Sequence, residues 1–255
     1  MAPAPTSPPP PSPGIVAGGV TRVFSGRPAL RSVSFALPVG SVTALLGPNG
    51  SGKSTLLQIL CGVLAPTSGS ASVAGHDTFL ATRHTRALIG YLPETCPLYG
   101  EMRIEEYLRY RAALFSLPRA TLPSRLRRVL DACGLAPFAK SVVHRLPLGL
   151  RQRTGLAAAI LHDPAFLLLD EPFRGVDPAA IQEISRVLRD LATSRRTTIL
   201  FATHNLAAAS LLADRVLLLS AGTLAADAPL ADFVRGGSLA DAYLASLAPA
   251  LSPAP

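Results

Sequence analysis

The stretch "LLGPNGSGKSTLLQILCG", residues 45–62, constrains the fold more than any other part of the chain. Apolar residues lead into a glycine-rich turn, and the turn leads into a helical pattern. Residues 47–54 fit G-x-x-x-x-G-K-[ST], which is a phosphate-binding loop when it follows a strand and opens a helix. Glycines let consecutive backbone N–H groups surround an anion, and the helix N-terminus adds its dipole. The pattern therefore predicts a phosphate site between a strand and a helix.

The loop carries Lys53, one of two lysines in a chain with 24 basic residues; the other is Lys140. An ammonium is a compact point charge that can reach the β- and γ-phosphates, whereas a guanidinium has a different shape and donor geometry. Ser54 then offers its hydroxyl to Mg²⁺. The structural alternative is a glycine-rich turn with a chance lysine, and the strand, the spacing and the helix together argue against it.

Two adjacent acids follow the apolar run "FLLLDEP" at Asp170 and Glu171. A metal-bound triphosphate needs a carboxylate near the metal and an activated water. We predict that Asp170 holds Mg²⁺, through water, and that Glu171 polarises the attacking water. The alternative is a strand that ends in solvent, but paired acids after a buried strand are costly unless a metal or a cap satisfies them.

Short aliphatic runs alternate with helical patterns along the chain, which favours an α/β fold with a sheet covered by helices. Because the runs are apolar without interruption, both faces of the sheet are expected to be covered. The predicted strands are 42–47, 88–92, 166–171, 197–203 and 215–222. Residues 14–41 indicate antiparallel strands with glycine and proline turns, so a small β layer is expected ahead of the main sheet.

Between about residues 95 and 145 the strand signal vanishes. Apolar residues recur there at helical spacing: Ile104, Tyr107, Leu108 and Phe115, then Leu126, Val129, Leu130 and Cys133. Pro118 and Pro123 punctuate the two predicted helices, and Gly134 suits a C-terminal cap. The segment is therefore predicted to be an all-helical insert.

The insert also carries the charge of the chain, which is +8 in total. Residues 101–153 hold ten arginines and Lys140 against four acidic residues, a net charge of +7. We call residues 101–153 the basic lobe. Such a lobe indicates an acidic partner, a membrane surface or nucleic acid, and a solvated helix face is the plain alternative.

The ends of the chain and its cysteines indicate the cellular compartment in which we expect the protein. Residues 1–13 are predicted to be a disordered proline-rich tail without the basic-then-apolar layout of a secretory signal. Residues 248–255 are predicted to be a flexible C-terminal tail. No apolar run reaches the roughly 18 residues that span a bilayer. Three cysteines without paired spacing indicate neither a disulfide framework nor a zinc site, so we expect buried thiols in a reducing, cytoplasmic compartment.

The phosphate loop is followed, in order, by "YLPE", "LPLGLRQR", "LLLDEP", "GVDP" and "FATH". This order resembles an ATP-binding-cassette (ABC) ATPase subunit over residues 15 to about 247. The run "IGYLPETCPLYGEMRIEEYL" is most similar to the bacterial ABC exporter ATPases that include the gliding-motility type. The resemblance implies a P-loop NTPase of the ABC type over 14–247, with a mixed central sheet, an antiparallel β subdomain and a helical subdomain over about 95–150.

The resemblance also implies roles for single residues. Phe24 would stack on adenine, although a phenylalanine in a strand can also be core. Glu94 stands where the superfamily usually has glutamine and would link the γ-phosphate and Mg²⁺ to the insert. Asp177 would touch the opposite subunit, and His204 would bond the γ-phosphate and orient Glu171. The remaining histidines are expected to be surface or packing residues: His76, His84, His144 and His162.

ATP and Mg²⁺ are the cofactors that the resemblance implies. The catalytic residues would be Glu171, His204 and Glu94, and the metal would be held by Ser54, Asp170 and Glu94. The nucleotide-binding residues would be Phe24, Gly47, Pro48, Asn49, Gly50, Ser51, Gly52, Lys53, Ser54, Thr55 and Gly149.

The family signature is L-S-G-G-Q or L-S-x-G-x-R-Q-R. This chain departs from it, because Pro147 stands where the family has serine. In ABC proteins this segment begins a helix that faces the γ-phosphate bound by the other subunit. Proline is accepted in a first helical turn, so the fold is expected to survive. The lost hydroxyl and N–H would cost about 1.5–3 kcal/mol per hydrogen bond to a charged group, or about ten- to hundredfold in rate.

We therefore expect an active but slow ATPase, or one half of an asymmetric pair whose partner has an intact signature. The expected function is the ATPase subunit of a membrane exporter at the cytoplasmic face of the cell membrane. It would pair as a homodimer or heterodimer and act on a separate permease. The alternatives are an ATP-gated regulatory subunit with little turnover, and a soluble ABC protein on nucleic acid. The chain lacks the second cassette and the long coiled coil of such proteins, so nucleic acid is not expected.

Overall fold

The computed structural model describes residues 13–80, 82–235 and 237–251. The predicted N-terminal tail lies outside these residues except for Pro13, where the first strand begins. The strands are β1 (Pro13–Phe24), β2 (Arg27–Pro38), β3 (Val42–Leu46), β4 (Ser68–Val73), β5 (His76–Asp77), β6 (Ile89–Leu92), β7 (Phe166–Asp170), β8 (Thr198–Ala202), β9 (Arg215–Ser220) and β10 (Thr223–Pro229).

Nine helices are present in the described residues. They are α1 (Lys53–Leu60), α2 (Thr82–Leu88), α3 (Ile104–Leu114), α4 (Leu122–Ala132), α5 (Leu148–Ile160), α6 (Pro178–Ser194), α7 (Leu206–Leu212), α8 (Leu230–Val234) and α9 (Leu239–Leu251), with short 3₁₀ turns at Ala136–Phe138 and Val143–Arg145. Helix α9 continues past the predicted domain boundary at 247, and residues 252–255 of the predicted C-terminal tail lie outside the described residues. None of the described helices has the length and apolar character to span a bilayer.

The main sheet is mixed, as predicted, with strand order β10-β9-β3-β8-β7-β6. Strands β6, β7, β8, β3 and β9 are parallel, and β10 pairs antiparallel with β9 at the edge. All five strands predicted for this sheet are present, and their ends agree to within two residues. The edge strand β10 was not predicted, because its small and charged residues carry no strong strand signal.

A second sheet, with order β2-β1-β4-β5, is antiparallel throughout. It confirms the β layer predicted for residues 14–41. Strands β4 and β5 were missed, since "SGSASV" is rich in serine and glycine and lacks the apolar alternation of a typical strand.

The central strand β3 is buried over its whole length, which confirms that both faces of the main sheet are covered. Leu45 packs in the core between the two sheets and α1. Val42, Ala44 and Leu46 point to the other core, which includes the helical insert, α5 and α6. Parallel strands covered on both faces bury nearly continuous apolar runs. The parallel order β3-β8-β7 brings the carboxyl ends of these three strands to the same edge of the sheet.

The insert is helical as predicted. In the described residues between β6 and β7, the only strand-type pairing is an isolated bridge between Arg103 and Val142. Pro123 lies in the first turn of α4, and Gly134 ends that helix with φ 62°, where the N–H of Leu135 donates to Leu130. This is the glycine C-cap that the pattern predicts.

The basic lobe is joined to the core through Asp163, in the turn after α5. Arg125 and Arg128 of α4 pair with this carboxylate, and so does Arg195, which follows α6. The Arg128 Nη2 to Asp163 Oδ1 distance is 2.6 Å. Part of the positive charge of the lobe is therefore neutralised by an acid that lies outside it.

The three cysteines are free and buried, as predicted. Burial raises the pKa of Cys61 and of Cys96 to about 11 and that of Cys133 to about 12. Such thiols are protonated at neutral pH and act as small apolar residues.

Candidate functional site

The glycines of the phosphate loop adopt conformations that other residues rarely reach. Gly47, Gly50 and Gly52 have φ angles of 155°, 77° and 105°. A Cβ at Gly47 would lie 2.2 Å from the carbonyl oxygen of Leu219, and one at Gly52 would lie 2.6 Å from that of Ala29. The loop therefore needs glycine at both positions for backbone conformation and for close packing.

Lys53 is the first residue of α1 and folds back across the loop. Its Nζ donates to the carbonyl oxygens of Gly47 at 2.8 Å and Pro48 at 3.0 Å. The residue is only 7% exposed. This burial lowers the pKa of the ammonium, while the nearby carboxylates of Glu171, Asp170 and Glu94 act in the opposite direction.

Asp170 is the last residue of β7 and is 2% exposed. Burial is the main reason that its pKa is raised, and the nearby carboxylates of Glu94 and Glu171 add to the shift. A hydrogen bond from the side chain of Ser54 and the charge of Lys53 oppose it. Crowded carboxylates next to a hydroxyl are a favourable environment for a divalent cation.

Glu171 follows directly, with a φ of 49°, and its carboxylate is held by the strand-end residues of β8. Its Oε1 accepts from Nδ1 of His204 at 2.7 Å and from the backbone N–H of His204 at 3.1 Å. Its Oε2 accepts from the hydroxyl of Thr203 at 3.2 Å. The backbone carbonyl of Glu171 accepts from Nε2 of Gln152 at 2.9 Å. The predicted base and switch histidine are thus in direct contact.

These residues line a cavity of about 440 Å³ at the carboxyl ends of the parallel strands. This is where ligands bind in open α/β sheets. Its walls comprise Ala29, Asn49, Gly50, Gly52, Lys53, Ser54, Thr55, Glu94, Asp170, Glu171, Arg174 and His204.

Sequence reasoning missed Ala29 and Arg174 in the cavity wall, and it missed Thr203 and Gln152 as supports of Glu171. Gln152 belongs to the retained "RQR" and Thr203 to "FATH", so the quoted motifs contained both. Arg174 lies in "EPFRGVDP", and nothing in that local sequence indicates that its side chain reaches the cavity. Nη1 of Arg174 lies 3.2 Å from Oε1 of Glu94.

Five predicted nucleotide contacts lie outside the cavity wall: Gly47, Pro48 and Ser51 of the loop itself, and Phe24 and Gly149, which lie on other elements. Phe24 ends β1, is 42% exposed and has the guanidinium of Arg22 at 4.6 Å above its ring. The alternative that Phe24 is a core residue is therefore wrong. Gly149 lies in the first turn of α5, where a Cβ would come within 2.8 Å of the carbonyl oxygen of Gly175. Asp177, predicted to touch another subunit, caps α6 by accepting from the N–H of Ala180 at 3.0 Å.

Pro147 is the N-cap of α5, one residue before the helix, with φ −54° and ψ 155°. Its carbonyl accepts from the N–H of Arg151 at 3.1 Å, so the first turn forms without the serine. The expectation that the fold survives is confirmed, although proline stands before the first turn rather than in it. The helix has no side-chain cap at this end.

The donor set fits Mg²⁺ when phosphate oxygens and water share the metal. Among residues 13–80, 82–235 and 237–251, no group of three or more His, Cys, Asp or Glu side chains is arranged to hold a metal alone. Mg²⁺ is usually bound by one or two carboxylates together with waters and substrate phosphates. Asp170 with the hydroxyl of Ser54 meets that requirement, and Glu94 stands at the same cavity.

A phosphate loop, a buried strand-end acid and a glutamate held by a histidine around one cavity define a P-loop nucleoside triphosphatase. The family model described as "ABC transporter" matches residues 30–174. A second model, described as an AAA domain and putative AbiEii toxin of a type IV toxin–antitoxin system, matches the shorter range 141–210. The chain belongs to the ABC transporter ATP-binding family.

Relatives and solved structures agree with this family. The probable multidrug ABC transporter ATP-binding protein YbhF of Escherichia coli K12 is 35% identical over 212 residues, which cover 83% of this chain and 36% of YbhF. The uncharacterized ABC transporter ATP-binding protein YdbJ of Bacillus subtilis 168 is 35% identical over 214 residues, covering 83% of this chain and 68% of YdbJ. The chain thus spans about a third of the length of YbhF.

The structure of an ATP-binding subunit of an ABC transporter superposes with a TM-score of 0.84 at 30% identity, covering 91% of this chain and 98% of that one. The dimeric structure of MJ0796, a bacterial ABC transporter cassette, superposes with a TM-score of 0.78 at 24% identity and shares the fold. It covers 85% of this chain and 98% of MJ0796.

Proposed function

We propose that this chain hydrolyses ATP as the nucleotide-binding subunit of a membrane exporter. The proposal rests on the hydrogen bonds that His204 and Thr203 donate to the carboxylate of Glu171, in the cavity that the phosphate loop also lines. A buried glutamate fixed at a strand end has the position and the acceptor oxygens that a general base requires.

In the proposed reaction the backbone N–H groups of the loop and Lys53 bind the β- and γ-phosphates. Ser54 and Asp170 would hold Mg²⁺, which would neutralise charge on these phosphates. Glu171 orients a water and accepts its proton as the water oxygen bonds to the γ-phosphorus. The bond from that phosphorus to the β-phosphate oxygen breaks, and ADP and phosphate leave. His204 keeps Glu171 in position through Nδ1, and its ring lines the cavity that would hold the γ-phosphate.

The ATP-binding site would be completed by a second subunit, in a homodimer or a heterodimer. The N-terminus of α5, with Pro147 and Gly149, would face the γ-phosphate bound by the partner, and Asp177 would touch that partner. Asp177 supports this, because its side chain is 66% exposed although it caps α6. The dimeric cassette MJ0796 shares this fold, which also supports the arrangement.

A separate permease would dock in a second cavity, of about 840 Å³, between the insert and the edge of the main sheet. Its wall is mainly apolar and includes Pro97, Leu98 and Tyr107, with Arg86 and Arg111 as cations. The loop that carries Glu94 leads into this wall. A cytoplasmic helix of the permease with apolar and acidic residues fits it, and the motion of Glu94 on nucleotide binding would reach the permease there. This arrangement places the chain at the cytoplasmic face of the membrane.

Substitution of the base tests hydrolysis. Glu171→Gln should lower the turnover of the purified chain at least about a hundredfold while calorimetry still detects binding of ATP with Mg²⁺. Unchanged turnover would show that Glu171 is not the base, and no binding by the parent chain would refute the nucleotide site itself.

Docking is tested by co-purification of this chain with a membrane protein whose gene is adjacent to the gene for this chain. Leu98→Arg, inside the second cavity, should abolish co-purification without lowering ATP affinity. Leu244→Arg, at an exposed leucine of α9 outside that cavity, is the matched control. Equal loss for the two variants would contradict the docking site.

A further inference from the structure

Arg174 is a cation in the nucleotide cavity that the proposed reaction does not use. It lies in the turn after β7, and its backbone N–H donates to the carbonyl of Glu171 at 3.1 Å. Its Nη1 donates to Oε1 of Glu94 at 3.2 Å. The two side chains are 52% and 47% exposed, and an exposed ion pair of this kind contributes little to folding. Because the pair adds little stability and lines the nucleotide cavity, we examine it as part of nucleotide binding.

The charges in the cavity wall indicate what the pair does. Three acids stand there, Glu94, Asp170 and Glu171, and the two permanent cations of the wall are Lys53 and Arg174. Lys53 is held inside the loop by Gly47 and Pro48. Arg174 therefore is the cation that neutralises Glu94, the carboxylate that we expect to approach Mg²⁺.

Mg²⁺ bound at Ser54 and Asp170 would compete with the guanidinium of Arg174 for the carboxylate of Glu94. If Glu94 turned to the metal, Arg174 would lose its partner but remain in the wall of the cavity that it shares with Lys53 and Glu171. A guanidinium binds phosphate oxygens through paired N–H donors, and such charge-assisted bonds are among the strongest in proteins.

We infer that Arg174 exchanges Glu94 for the terminal phosphate of ATP when the magnesium nucleotide binds. This inference rests on the proposed nucleotide site. The exchange makes Arg174 a determinant of ATP over ADP, because ADP lacks the phosphate that replaces Glu94. It also releases the loop of Glu94, which leads into the helical insert, only when a third phosphate is present.

Nucleotide titration tests the exchange without measuring turnover. In the full chain carrying Glu171→Gln, to prevent hydrolysis, Arg174→Gln should weaken ATP binding in the presence of Mg²⁺ about tenfold, as expected for loss of a bond to a charged group. ADP affinity should change less than about twofold. Arg174→Lys should recover part of the loss, and Arg186→Gln, at an exposed arginine of α6 outside this cavity, should change neither affinity.

A second comparison tests the competition with Glu94. Glu94→Gln frees the guanidinium, so it should tighten the binding of metal-free ATP in the chain with Arg174 more than in the chain with Arg174→Gln. Equal tightening in both chains, or equal loss of ATP and ADP affinity in Arg174→Gln, would overturn the inference while leaving the nucleotide site intact. Absence of ATP binding in the parent chain would instead remove the proposed function as well.

Discussion

Nδ1 of His204 lies 2.7 Å from Oε1 of Glu171, and the backbone N–H of His204 reaches the same oxygen at 3.1 Å. One residue thus holds the carboxylate through two donors, from a neighbouring strand end. The imidazole itself is 67% exposed and Glu171 only 10%, so His204 bridges the buried base and the open cavity.

We predict that His204→Ala lowers kcat by about ten- to hundredfold, because Glu171 loses the donor that orients it while the backbone N–H remains. ATP affinity should change less, since the phosphate loop is untouched. Steady-state kinetics with a separate binding titration measure both. His144→Ala, at an exposed histidine of the insert, is the control. A kcat equal to that of the parent would argue against the orienting role.

Pro147→Ser should restore a hydroxyl and an N–H at the N-terminus of α5. We expect turnover to rise about ten- to hundredfold if the partner subunit's phosphate meets this helix end. A serine N-cap should also raise the free energy of unfolding by about 0.5–2 kcal/mol, because the helix has no side-chain cap.

Pro147→Ala separates the two effects of that substitution, since alanine returns the N–H but neither the hydroxyl nor the cap. It should recover part of the turnover and little of the stability. Turnover is measured at saturating ATP and unfolding in urea. If neither variant exceeds the parent in turnover, the signature does not limit this enzyme.

The loop glycines offer a matched pair of substitutions. Gly47→Ala introduces a Cβ at 2.2 Å from the carbonyl of Leu219, whereas a Cβ at Gly50 meets no atom within 4 Å. Gly50→Ala should cost about 1 kcal/mol of unfolding free energy, from its positive φ alone. Gly47→Ala should cost more, about 3 kcal/mol or above, because the backbone must also shift. Urea unfolding measures both, and equal costs would contradict this packing.

The packing of His162 predicts a pH dependence of stability. Its ring stacks on Phe115 with centroids 3.8 Å apart, and its Nε2 donates to the carbonyl of Ile89 at 3.1 Å. Burial, the largest cause, lowers its pKa from 6.5 to about 4. The folded state therefore binds fewer protons than the unfolded state between these values. The stability from this group is present above about pH 6.5 and is lost as the pH falls toward about 4.

The free energy of unfolding should thus fall by about 2 kcal/mol from this group between about pH 7.5 and pH 5. His162→Gln retains an amide donor for Ile89 but does not titrate, so it should flatten the profile by that amount. Parallel profiles for the parent chain and His162→Gln would disprove the assignment.

Much of the fold followed from local patterns. The five strands of the main sheet are short apolar runs, and residues 14–41 carry their own turn signals, so both were predictable. Strands β4 and β10 were not, because they contain mainly small or polar residues. They become strands by pairing with other strands. The partner of β4 is β1, which is distant in the sequence, and the partner of β10 is the apolar strand β9.

The site divides in the same way. The sequence by itself determined the phosphate loop, the acid pair after β7 and the histidine after β8, since each is a contiguous motif with its own chemistry. Only the tertiary structure decided that Thr203 and Gln152 hold Glu171, that Phe24 is exposed, and that Arg174 meets Glu94. The physical reason is that parallel order brings the ends of separate strands to one edge, and contacts across that edge depend on packing that no local pattern encodes.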